Sequence, residues 1–212
     1  MKFLLSLSLI IFIPAALFGQ SVAVKGGFGT MGIGAEGSVQ LNQSFSVRAG
    51  GNMFNYTYSY TTSDDEDFDI DADLSLSNLT AIIDWHPFQN GARVSGGIVY
   101  NQNTVNSVLI PKQSHTVGGD VYSPEDLGNV HADFRFPDFA PYLALGYGNP
   151  FSGRRFGFNV DLGIVFQGEP NVDMNADGLL APSASQAAII EDNVGWASLY
   201  PAITVGMYYR LN

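Results

Sequence analysis

Large apolar side chains alternate with small or polar ones from Arg155 to Gln167. Phe156, Phe158, Val160, Leu162, Ile164 and Phe166 hold one parity; Gly157, Asn159, Asp161, Gly163, Val165 and Gln167 hold the other. Period two predicts a β-strand with two unlike faces. Its length suits a bilayer crossing, which takes about 9–11 tilted residues. In a small soluble barrel the bulky face fills the interior, and the outer face carries many charges. Here the second face carries glycine, asparagine and one aspartate. Small side chains fit a crowded interior and bulky apolar ones fit lipid. The pattern predicts a lipid-facing strand of a barrel that crosses a membrane. With the faces reversed, the same strand would line the pocket of a lipocalin-like carrier.

The alternation recurs along the chain. It runs through Met31, Ile33, Ala35 and Val39, and through Phe45, Val47, Ala49 and Met53. It then changes parity to Phe54, Tyr56, Tyr58 and Tyr60, which a bulge or the membrane edge explains. Leu74 and Leu76 give way to Leu79, Ala81, Ile83 and Trp85 with a second change. Further segments cover 92–101, 130–148 and the stretch ending at Leu211. Short turns are read at 41–44, 86–91 and 148–153. Long loops are read at 61–73, 106–129 and 168–195. Within them Ser123-Pro124-Glu125-Asp126 carries a helix start, and a short helix is expected near Gln186–Ile190. Seven segments are clear. Dividing residues 22–41 around Gly29-Thr30 gives eight strands with both chain ends on the short-turn side; ten strands is the alternative. The expected fold is all-β, a transmembrane antiparallel up-and-down β-barrel of eight strands.

Composition narrows this reading. The chain has 212 residues, 24 glycines and no cysteine, which rules out disulfides, thiolate metal sites and a lipid anchor on an N-terminal cysteine. A net charge of −11 leaves no basic patch for nucleic acid. Residues 1–20 read as a secretory signal: Lys2, an apolar run from Phe3 to Phe18 broken by Pro14, then Gly19 and Ser21. That leaves 21–212 as the barrel domain. No later stretch reaches the ~18 apolar residues of a spanning helix, and a spanning chain without one must be a closed barrel.

On the signal, the alternating segments and the last strand, Ala202-Ile203-Thr204-Val205-Gly206-Met207-Tyr208-Tyr209-Arg210-Leu211, the mature chain resembles the small single-chain outer-membrane β-barrel proteins of Gram-negative bacteria. Gly29-Thr30-Met31-Gly32-Ile33-Gly34 and Phe139-Ala140-Pro141-Tyr142-Leu143 resemble uncharacterised members. Family members usually end the assembly signal on an aromatic residue; here Leu211 holds that place and Asn212 follows. The resemblance implies outer-membrane lipid and lipopolysaccharide as surroundings and the barrel-assembly machinery as a partner during insertion. It implies no one reaction, because members include pores, enzymes, adhesins and structural proteins.

Several residues carry candidate chemistry. Glu36, Asp84 and Asp161 against Arg48, Arg93 and Arg210 form a balanced interior set, either a salt-bridge plug or a polar lining for solutes. Asp64, Asp65, Glu66, Asp67, Asp69, Asp71 and Asp73 crowd one loop, and such oxygen-rich clusters suit Ca2+ or Mg2+. Asp173, Asn175 and Asp177 copy half of a calcium loop, but its twelfth position is Ala184. His131 and Asp133 share a face, as a base and its orienting acid would. No nucleophile accompanies them. His86 and His115 carry no motif. The expected role is structural or surface interaction, with a narrow channel as the alternative and a lipid-modifying enzyme third.

Overall fold

The computed structural model describes residues 20–60 and 68–212. The signal expected over 1–20 (Gln20 apart) and the candidate ligands Asp64, Asp65, Glu66 and Asp67 lie outside the described residues. Thirteen strands, numbered along the chain, form among those described. Eight of them pair around a ring: β1 (Val22–Gly29), β2 (Gly32–Gln40), β3 (Phe45–Tyr60), β4 (Phe68–Trp85), β5 (Ala92–Asn101), β10 (Phe139–Tyr147), β11 (Phe156–Phe166) and β13 (Leu199–Arg210). Every pairing is antiparallel, and β13 returns to β1, with Val24 opposite Tyr209. The chain is all-β in its framework.

The alternation sorts side chains between the two faces of this ring. On β11, Asn159, Asp161 and Val165 are buried, and Asp161 is only 1% exposed. Phe158 is 69% and Leu162 58% exposed on the other face. Ile83, Ile98, Leu143, Leu145, Ile203 and Val205 likewise point outward. Large apolar groups are left outside and charges are turned in, the reverse of a water-soluble barrel. The β1–β2 turn is tight at Thr30-Met31. Gly32 closes it at φ +102°, where a side chain would also meet the Met53 carbonyl.

The remaining strands are β6 (Thr104–Pro111), β7 (His115–Val117), β8 (Asp120–Tyr122), β9 (Val130–Arg135) and β12 (Asn171–Ala176). β4 has two partners in succession. Residues 78–85 pair with β5, and residues 68–75 pair with β6. β6 continues to β9 and β9 to β12, so the one 11-stranded sheet extends past one end of the ring as a second, outer section. Helix α1 (Pro124–Leu127), a 3-10 stretch (Gly178–Gln186) and helix α2 (Ala187–Asn193) pack against it. α1 opens with a capping box in which the Ser123 hydroxyl accepts from the Asp126 N–H. Ser123 donates back, and these bonds hold the Asp126 carboxyl below its usual range.

This outer section corrects four expectations. Residues 106–129 and 168–195 are not long loops: besides the helices expected at Ser123 and near Gln186, they contain β7, β8, β12 and most of β6. The single strand expected over 130–148 is two, broken at Phe136-Pro137-Asp138, because Pro137 has no N–H for a ladder. β9 joins the outer sheet and β10 the ring. Asp69, Asp71 and Asp73 stand in β4 rather than in a loop. The parity changes at Phe54 and Leu79 are not bulges, since the β3–β4 ladder runs unbroken from Phe45 opposite Trp85 to Tyr60 opposite Ile70. The face that is polar inside the ring becomes apolar where the two strands leave it.

Candidate functional site

Six ionisable side chains meet inside the ring. Their strand parity sends them inward: Lys25 from β1, Glu36 from β2, Arg48 from β3, Asp84 from β4, Arg93 from β5 and Asp161 from β11. Lys25 stands opposite Glu36 in the β1–β2 ladder, and their charges meet at 3.0 Å. Lys25 also reaches Asp161 at 3.0 Å. Arg48 is the hub, with Nη1 at 2.9 Å from Glu36 and 3.4 Å from Asp161, and Nε at 3.1 Å from Asp84. Arg93 places Nη2 2.6 Å from Asp161 and donates through Nη1 to the Gly148 carbonyl.

Small neighbours make these contacts possible. Gly146 lies on β10 between Arg93 and Asp161, opposite both. A Cβ there would stand 2.8 Å from Arg93 Nε, so the missing side chain lets the pair close across the strand. Ser95, opposite Asp84, donates to it at 2.5 Å. Three cations face three carboxylates, so the layer is neutral, and each charge is paired as burial requires.

Layers of other character follow toward the outer section. Met31, Ile82, Val99, Ala140, Tyr142, Ala144, Val165 and Ala202 form a buried apolar cluster, with Tyr200 packed on it. Beyond it Asn78 bonds Asn103 at 3.1 Å and Asn101 bonds Gln167 at 3.3 Å. Lys25, Glu36 and Arg48 separate two small cavities. One lies toward the short turns, against His86, Asn159 and Tyr208. The other lies toward the apolar cluster, against Asn52, Thr80 and Tyr142. His86 sits in the turn after β4, buried against this end. Burial holds its imidazole below the ordinary histidine value; Asp84 opposes that and Arg93 adds to it.

The other sequence candidates fare differently. Arg210 is not part of the layer: it lies at the end of β13 and donates to the Gly153 carbonyl at 3.3 Å. Lys25 takes its place. Its signal in the sequence is alternation with the outward Val24 and, further on, Phe28, weakened by the glycines between. Asp173 and Asn175 are in β12, not in a loop, and extended backbone cannot wrap an ion. The glycine turn comes later, at Gly178 with φ +57°. Among the described residues no cluster of three or more His, Asp or Glu could hold a metal ion. His131 and Asp133 share the outer face of β9, and no hydrogen bond joins them.

No protein-family model matches the chain, and no curated protein does. Solved structures do. The chain resembles Acinetobacter baumannii CarO2 with a TM-score of 0.62 and 18% identity, over 90% of this chain and 98% of that one. It resembles Acinetobacter baumannii CarO with a TM-score of 0.58 and 19% identity, over 89% and 97%. The chain therefore shares their fold over nearly its whole described length.

Proposed function

We propose that this chain is an eight-stranded outer-membrane barrel, delivered by a cleaved leader, whose filled interior leaves its outer sheet as the working surface. One observation carries the reading. The charges are turned into the ring, while Phe158, Leu162, Leu145 and Ile203 face out, which suits hydrocarbon outside and a polar interior. Aromatic groups at the short-turn end, among them Phe45, Trp85, Tyr147, Phe156 and Tyr209, are exposed as an interfacial girdle would be. The likeness to the CarO structures supports the fold on which this rests. Outer-membrane lipid and lipopolysaccharide are then its surroundings, and barrel-assembly machinery its route of insertion.

The test is heat-modifiability on a gel, with protein from outer-membrane fractions. A folded band that shifts on boiling supports the inserted barrel. A soluble periplasmic protein without the shift overturns it.

A narrow channel is the second reading, favoured by the cavities on both sides of the charge layer. Planar-bilayer recording separates the two. A plug predicts silence in the wild type and openings in Arg48→Ala and Arg93→Ala. Steady wild-type conductance supports the channel.

A further inference from the structure

Among the buried polar atoms left without partners around the cavity toward the short turns, donors outnumber acceptors. The carboxylates of the layer are engaged by Lys25, Arg48, Arg93 and Ser95. Left without hydrogen-bond partners are Arg48 Nη2, Arg93 Nε, His86 Nε2 and both amide atoms of Asn159; Arg93 Nε has only a 3.7 Å ion-pair approach to Asp84. These four side chains are 2–6% exposed and all line this one cavity. A buried polar group without a partner forfeits its hydration with nothing in return.

The chemistry of the lining selects the occupant. A guanidinium only donates; the Asn159 amide donates through Nδ2 and accepts through Oδ1, and an imidazole nitrogen donates where it carries the proton. A water in the cavity must also place its own two protons. An anion accepts from every side and places none. Glu36 and Asp84 reach the wall too, but Lys25, Arg48 and Arg93 balance the three acids, so an anion meets no net negative charge. The cavity is about 20 Å³, enough for one small guest, which favours a monatomic ion over sulfate or phosphate.

We propose that this cavity binds a halide-sized inorganic anion, held by Arg48 Nη2, Arg93 Nε, Asn159 Nδ2 and His86 Nε2. The inference rests on the interior geometry and stands apart from the surface role proposed above.

The experiment is thermal unfolding of the wild-type chain in detergent micelles, titrated with sodium bromide and with sodium sulfate at matched ionic strength. Bulk salt effects stabilise proteins more in sulfate than in bromide; a specific site reverses that order at low concentration. The expected result is a saturable rise in unfolding temperature with bromide. Asn159→Leu weakens its half-saturation tenfold or more, and so does Arg48→Lys, which keeps the charge and puts one nitrogen in place of three. Crystals grown in bromide then show an anomalous peak in the cavity. The crystal also decides the matter if Asn159→Leu fails to fold. Unfolding that follows the bulk order, with only water in the cavity, overturns the proposal.

Discussion

Replacing Asp161 with asparagine removes one charge from the centre of the interior layer while keeping the side chain's shape. Asp161 makes three of the layer's ion pairs, at 2.6, 3.0 and 3.4 Å, and is 1% exposed. The variant leaves Lys25, Arg48 and Arg93 facing only Glu36 and Asp84, so one buried cation goes uncompensated. Breaking a buried pair in this way costs about 3–5 kcal/mol. With a urea slope near 2 kcal/mol/M, the unfolding midpoint falls by roughly 1.5–2.5 M. The assay is urea unfolding in lipid vesicles, followed by the fluorescence of Trp85 and Trp196. Glu36→Gln is the control. Glu36 makes two pairs and its side chain is 11% exposed, so its midpoint falls less. Adding Lys25→Met to Asp161→Asn restores charge balance and recovers part of the loss, a coupling that a double-mutant cycle measures. A midpoint shift under ~0.3 M for Asp161→Asn would refute the idea that this layer holds the ring together. A larger loss in Glu36→Gln would refute the ranking.

Other changes test other parts of the argument. Leu162→Arg puts a charge on the outward belt: insertion costs about 2–4 kcal/mol if that face meets hydrocarbon, read as loss of the heat-modifiable band, whereas a water-facing position would tolerate it. Gly29→Ala drives a methyl into the Ile203 carbonyl across the β1–β13 seam; overpacking of about 1–3 kcal/mol lowers the urea midpoint. His86 takes up a proton less readily in the folded chain than unfolded. Its contribution to stability is therefore present above about pH 6.5 and declines as pH falls below that. Comparing midpoints at pH 7.5 and pH 5 exposes the decline, and His86→Gln flattens it.

The sequence made the ring legible because two unlike environments impose a strict period of two. Phe158 and Asp161 declare their faces with no knowledge of the rest. Division of residues 22–41 at Gly29-Thr30 was legible from the turn glycines. The outer sheet was not. Asn106, Ser107 and Asp173 read as loop because strands that meet water on one face carry little apolar contrast. Lys25 is masked because its strand has glycine at three of its eight positions, which dilutes the alternation. Arg210 has the right parity but lies at the mouth, and depth is not written in parity.

The two-partner strand β4 imposes an order on assembly. Contacts between residues close in sequence form sooner than distant ones, because less loop entropy is lost. The β4–β6 and β6–β9 ladders join neighbouring stretches, whereas the seam joins Val24 to Tyr209, near the two ends of the described chain. The strand that completes the ring is also the last of the described strands along the chain. A chain halted before Leu199 can hold its outer sheet, yet β1 and β11 then present unpaired edges, the templates from which sheets aggregate. Until β13 arrives, something outside the chain must keep those two edges apart.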